Sequence, residues 1–188
     1  MEPLEQHARA MEEFDRRIRA IADHQWRLPT PCTDWDVYDL VDHLVTEQLW
    51  APHMLAGATL DDVGDRFDGN VLGDDPVATW EASARAARAA FTEPGALERT
   101  VDTTMGETPA LEYTRQMTLD LAIHAWDLAR AIGADEHLDP ALVAALHEIW
   151  EPRAGMLADS GVFAAPVDVG DEADTQVRLL AVLGRDGR

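Results

Sequence analysis

The feature that most constrains the fold of this chain is a hydrophobic period of about 3.6 residues, which recurs in five separate segments. An amphipathic helix must bury its apolar stripe against another element, so five such segments predict an all-α helical bundle. Only the stretch from Arg99 to Thr104 favours an extended crossover. The segments run from about Leu4 to Asp23, Asp34 to Leu55, Pro76 to Thr92, Thr108 to Ile132 and Pro140 to Ala158.

Prolines, glycines and capping residues set the predicted helix ends. Pro29 and Pro31 disfavour helix in the residues before them, so the chain is expected to be extended until Thr33 or Asp34 caps the second helix. Gly133 is expected to end the fourth helix. A polar loop is predicted between residues 57 and 75. We predict one domain over residues 1–188, with residues 160–188 as a tail that packs on the bundle and includes a last short helix.

The charge of the chain excludes several classes of partner. The 188 residues carry a formal net charge of -21, and all 15 basic residues are Arg. Such a field repels nucleic acid and anionic membranes, so neither is an expected partner. The acidity indicates a well-solvated surface or, since 22 Asp outnumber 14 Glu, adaptation to high salt. No secretory signal and no apolar run of about 20 residues is present, so we expect a cytoplasmic protein.

Cys32 is the single cysteine. One cysteine excludes an internal disulfide, a thiolate zinc cluster and a CxxC redox pair. We interpret Cys32 as a small packed residue rather than a nucleophile.

The fourth predicted helix carries an ionisable pair on its apolar side. At about 100° per residue, His124 falls in the sector of Met117 and Leu121, and Asp120 lies one turn earlier at its edge. Burial of both groups is costly unless they bind each other or a cation. A hydrogen-bonded pair and a metal site both satisfy this condition.

A third donor favours the metal site. His43 lies at the margin of the apolar stripe of the second helix, on the flank that also holds Glu47 and Trp50. If the two helices are neighbours, His43 completes a His–Asp–His set, and three protein ligands leave a position open for water or a thiolate. The remaining histidines are expected to be mostly surface residues: His7, His24, His53, His137 and His147.

Two runs of residues resemble the signatures of a known family. The first, from Pro29 to Leu44, contains Thr-x-Cys-x-x-Trp-x-Val followed by Asp-Leu-x-x-His-Leu, and the second runs from Asp120 to Ala129. Both are similar to the mycothiol-dependent maleylpyruvate isomerase N-terminal family of the DinB superfamily. The tail around Arg178 to Asp186 is similar to that of a stand-alone bacterial subfamily.

The resemblance implies a DinB-like four-helix bundle with crossover connections. It implies a divalent metal, usually zinc and sometimes nickel, held by His43, Asp120 and His124, and a low-molecular-weight thiol as co-substrate. The isomerase differs from this chain in two ways that matter. It has Glu at the position of Asp120, and it has a C-terminal domain that supplies a substrate-binding Arg. We therefore do not expect maleylpyruvate isomerisation.

Two further residues of the signatures have alternative roles. Trp35 is expected to pack at the start of the second helix rather than to contact a ligand. Asp127 could orient a ligand of the metal or pair with Arg130 or Arg115, and the sequence does not separate these roles.

The leading hypothesis is a metal-dependent transferase or hydrolase that uses a thiol and acts on a small electrophile. The alternatives are a non-catalytic bundle that binds a metal or small ligand and forms a homodimer, and a metal-free bundle in which Asp120 and His124 pair. Beyond the metal ligands, the sequence identifies no catalytic residue and no site for an organic cofactor.

Overall fold

The fold is helical, with one small ribbon. A computed structural model describes residues 1–159, 161, 163–170 and 172–188. The elements are α1 (Pro3–Ile18), α2 (Val37–Leu55), α3 (Leu60–Val63), α4 (Pro76–Phe91), β1 (Thr100–Thr103), β2 (Gly106–Pro109), α5 (Ala110–Ile132), α6 (Pro140–Trp150), α7 (Ala154–Asp159) and α8 (Thr175–Val182), with short 3₁₀ turns at Ala96–Glu98 and Glu151–Arg153. The all-α prediction is confirmed.

Four of the helices form a bundle within residues 2–134. Helix α1 packs against α5 and α4, and α2 packs against the same two helices. Consecutive long helices α1 and α2 are therefore diagonal to each other, so the connection between them crosses the end of the bundle. The apolar stripe predicted for α2 lies in the core, since its five residues have no exposed surface: Val37, Leu40, Val41, Leu44 and Val45. The four-helix bundle with crossover connections is thus confirmed.

The first two helices are shorter than predicted. Helix α1 ends at Ile18, and residues 22 and 23, which were expected to extend it, are exposed, so they offer no apolar surface to bury. Helix α2 begins at Val37 because Asp36, not Thr33 or Asp34, is its N-cap. The Asp36 carboxylate accepts a hydrogen bond from Asp39 N, and the Asp39 carboxylate accepts one from Asp36 N. This capping box satisfies backbone N–H groups that the helix leaves free.

The predicted extended crossover is the first strand of a hairpin. Strand β1 pairs antiparallel with β2 from Thr100 opposite Pro109 to Thr103 opposite Gly106. Helix α5 begins at Ala110 instead of Thr108 because Thr108 and Pro109 belong to this ribbon. Gly133 ends α5 in the left-handed region (φ 69°), as predicted. The predicted polar loop contains the four-residue α3, capped by Thr59 and Asp62.

The chain divides into two compact units, residues 2–134 and residues 135–188 with Met1. In the second unit, α6 packs against α8, the short C-terminal helix that was predicted. The fifth predicted helix is interrupted after Trp150, because Pro152 has no N–H to continue the helical hydrogen bonds. The prediction of one domain over residues 1–188 remains a prediction.

Across the described residues, none of the helices combines the length and the apolar character that a membrane span requires.

Candidate metal centre

Three predicted ligands meet between helices α2 and α5. His43 Nε2 on α2 lies 3.1 Å from one carboxylate oxygen of Asp120 on α5, and His124 Nε2 lies 3.4 Å from the other. The two imidazole rings are 5.3 Å apart and nearly perpendicular. Because α2 and α5 pack side by side, His43 reaches the pair that the sequence places on one turn of α5.

The spacing of these donors fits a tetrahedral divalent ion. One donor atom from each of the three residues can be chosen so that all lie within 4.8 Å of one another. Zinc bonds of about 2.0–2.1 Å at tetrahedral angles separate neighbouring donors by about 3.3 Å, close to the two distances observed. Two imidazoles and a carboxylate are a donor set that zinc and nickel accept.

Glu47 borders the same cluster from α2. Its Oε1 lies 3.9 Å from His43 Nε2, and its Oε2 is buried without a hydrogen-bond partner among the described residues. Burial and the neighbouring charge of Asp120 raise the pKa of Glu47 well above its usual value. Burial and the charge of Glu47 likewise raise the pKa of Tyr113. The sequence placed Glu47 only on the flank of His43; its i+4 spacing was the signal that could have added it to the site.

Asp127 orients His124 from the side opposite the cluster. Its carboxylate is fully buried, with Oδ2 3.0 Å from His124 Nδ1. A carboxylate is an acceptor, so Nδ1 carries the hydrogen that it shares with Asp127, and the lone pair of the neutral ring is on Nε2, facing Asp120. This contact with His124 is the geometry that the ligand-orienting role of Asp127 requires.

Cys32 contacts the same buried carboxylate. Its S–H donates to Asp127 Oδ2 at 3.2 Å, and Sγ lies 3.6 Å from His124 Nδ1. Cys32 is half-buried. Its interpretation as a small packed residue did not include this polar contact with Asp127. Residues 32 and 127 are distant in the sequence, and no local pattern connects them.

Opposing electrostatic effects act on the paired groups of α5. Burial alone would lower the pKa of His124, but the charge of Asp120 and hydrogen bonds with Asp120 and Asp127 raise it well above its usual value. Burial alone would raise the pKa of Asp120, but His124 and His43 lower it well below its usual value. Both shifts favour the charged forms of the metal-free pair, so a metal ion would have to displace a proton from His124.

Trp35 contacts both histidines. Its ring centroid is 4.8 Å from that of His43 and 5.7 Å from that of His124. Trp35 N donates to Cys32 O in a tight turn in which Asp34 has a positive φ of 71°. The turn therefore brings Trp35 and Cys32 to the site together, beyond the role at the start of α2 that was predicted for Trp35.

Two of the histidines expected at the surface are buried. His7 has no exposed surface and packs against Phe91 in a tilted arrangement, with 4.5 Å between ring centroids. His147 is 6% exposed and accepts a hydrogen bond from Arg178. The prediction was wrong for His7 because its spacing to Met11 and Phe14 places it on the buried stripe of α1. His24 and His137 are exposed, as predicted.

Comparison with known proteins identifies the family. Residues 7–129 match the family described as the mycothiol maleylpyruvate isomerase N-terminal domain. The chain belongs to this family. The matched range contains all of the candidate ligands and most of the four-helix bundle.

Two curated relatives match most of the chain. The chain is 35% identical over 146 residues to two proteins of Mycobacterium tuberculosis, the uncharacterized protein MT0763 of strain CDC 1551 / Oshkosh and the uncharacterized protein Rv0738 of strain H37Rv. The matches cover 76% of this chain and 74% of each relative.

A solved structure has the same fold. A mutant of the mycothiol-dependent maleylpyruvate isomerase superposes with a TM-score of 0.59 at 15% identity. The match covers 77% of this chain and 66% of the isomerase chain. This likeness shows that the chain shares the fold of the matched part of the isomerase.

Proposed function

We propose that this protein is a metal-dependent enzyme that uses a low-molecular-weight thiol to attack a small electrophilic substrate, as a transferase or hydrolase. The observation that supports this most is the convergence of His43, Asp120 and His124 at distances that suit one zinc or nickel ion. Membership of a family named for mycothiol supports the thiol as co-substrate.

Three side chains would hold the ion, and a neighbouring tryptophan would limit the side from which a small ligand reaches it. His43 and His124 would bind through Nε2 and Asp120 through its carboxylate, with Asp127 fixing the tautomer of His124. A bound divalent ion would lower the pKa of a thiol or water, so that the deprotonated nucleophile exists at neutral pH. Trp35 covers one side of both imidazoles, so a ligand would approach from the side it leaves free.

The side chains that surround the donors also limit the reaction. His124 is almost fully buried, whereas the side chains of His43 and Asp120 are 30% and 19% exposed. The centre would therefore be open on the side of His43 and closed behind His124. This arrangement admits a small thiol and fits a catalytic site better than a closed structural one.

The test combines metal content with thiol-dependent turnover. Protein purified without an affinity tag would be loaded with zinc or nickel and assayed with mycothiol and a panel of small electrophiles. We expect turnover that requires both metal and thiol and is lost in His124→Ala but kept in His24→Ala, in which an exposed histidine is removed. Metal binding without turnover across the panel would favour a non-catalytic binding protein, and a metal-free protein would favour the paired-residue alternative.

A further inference from the structure

Four potential donors lie at or beside the site, arranged as two pairs with the same spacing. His43 and Glu47 are four residues apart on α2, and Asp120 and His124 are four residues apart on α5. Residues at i and i+4 lie on one face of a helix, so each helix presents one imidazole and one carboxylate to the other. The three-ligand site described above uses only one member of the α2 pair.

Glu47 lies within reach of the same centre. Its Oε1 is 3.9 Å from His43 Nε2, and Asp120 Oδ2 is 3.1 Å from that same nitrogen. Both carboxylates therefore approach Nε2 of His43. The distance of 3.9 Å slightly exceeds the separation of about 3.3 Å between donors on one zinc ion, a difference that rotation of a flexible Glu side chain can remove.

The second oxygen of Glu47 is the observation that points to a cation. Glu47 Oε2 is buried and has no hydrogen-bond donor among the described residues. A carboxylate oxygen removed from water without a partner costs free energy, and a bound cation removes that cost. Since two carboxylates meet here, a divalent ion would neutralise both.

We propose that Glu47 is a fourth protein ligand, so that the ion is held by two histidines and two carboxylates from α2 and α5. This inference rests on the proposed function, because it concerns the ion of that site. Zinc accepts up to five ligands in catalytic sites, so a fourth protein ligand would still leave room for a thiol.

The experiment compares Glu47→Gln with wild type, using cobalt(II) and zinc as probes. Glu47→Gln keeps the size of the side chain and removes the anionic ligand, and Glu47→Asp keeps the charge but shortens the reach. Glu148→Gln is the control, because Glu148 is exposed on α6. We would measure zinc affinity by competition with a chelator and the visible d–d spectrum of the cobalt(II) protein.

We expect both Glu47 variants to lose at least about 10-fold in zinc affinity, the smallest loss typical of changes around a metal ligand. We expect the cobalt(II) spectrum to change in both, because the ligand set changes, and to stay the same in Glu148→Gln. Weaker binding in Glu47→Gln only, with an unchanged spectrum in both variants, would overturn the proposal, since it would show that Glu47 acts by charge alone.

The proposed function and this inference fail in different ways. If wild type binds zinc, His43→Ala and His124→Ala lose it, and both Glu47 variants behave as wild type, then Glu47 is not a ligand and the proposed site stands. If wild type takes up neither zinc nor cobalt(II), both proposals fail.

Discussion

Acidification should destabilise the fold through His7, a histidine outside the metal centre. His7 lies on α1 with no exposed surface, and neither ring nitrogen has a hydrogen-bond partner among the described residues. Burial, and to a smaller extent the charge of Arg88, lowers the pKa of His7 from 6.5 to about 3. The folded protein therefore keeps this imidazole neutral at pH values at which the unfolded chain protonates it.

The sign and size of the effect follow from these two values. Because the unfolded state binds the proton first, the stability due to neutral His7 is complete above pH 6.5 and is lost as the pH falls from 6.5 towards 3. One pH unit between the two values costs about 1.4 kcal/mol. Between pH 7 and pH 4.5 the free energy of unfolding should therefore fall by about 2.5 kcal/mol from this residue.

The assay is urea denaturation at several pH values, followed by far-ultraviolet circular dichroism. Wild type is compared with His7→Leu, which removes the titrating group but keeps an apolar side chain of similar size, and with His24→Leu as the exposed control. Titrating carboxylates affect all three proteins, so the difference between them isolates His7. Equal pH slopes in wild type and His7→Leu would refute the reasoning.

Three further predictions concern the Asp127 contact with His124, the net charge of the chain and the N-cap of α2. Asp127→Asn keeps the size of the side chain but removes the charged acceptor of His124 Nδ1–H, and we expect zinc affinity to fall about 10–100-fold; an unchanged affinity would exclude the orienting role. If the net charge of -21 reflects adaptation to salt, the melting temperature should rise steeply from low to molar salt; a constant value would leave only the role in solubility. Asp36→Ala removes the capping box of α2 and the ion pair with Arg27, and should lower the free energy of unfolding by about 1 kcal/mol in urea denaturation. Asp61→Ala, at an exposed position, should change it little. Equal losses in both variants would contradict the assignment of the cap.

Periodicity predicted the parts of the fold that burial determines. The stripes of α2 and α5 are fixed by which residues are apolar, so Leu44, Leu121 and the position of His124 followed from the spacing alone. The same pattern placed Asp120 one turn from His124, and the structure brings His43 to both. Their role as metal ligands remains a proposal.

The contacts that the sequence did not reveal depend on loops or on unusual burial. Cys32 meets Asp127 because a turn with Asp34 at positive φ folds back on α5, and no periodic signal describes such a turn. His7 was missed for a different reason: its spacing placed it on the stripe of α1, but a histidine was assumed to face water. Glu47 was missed as a site residue although its i+4 spacing to His43 was visible.

The most direct test of the metal centre is the zinc content per chain, measured by plasma mass spectrometry after loading and gel filtration. Wild type is compared with His43→Ala, Asp120→Ala and His124→Ala, and with His24→Ala as the matched exposed histidine. We predict about one ion per chain in wild type and His24→Ala, and a large loss in each of the other three. Full retention in all three variants, or a wild type that stays metal-free after loading with zinc and nickel, would contradict the proposed centre.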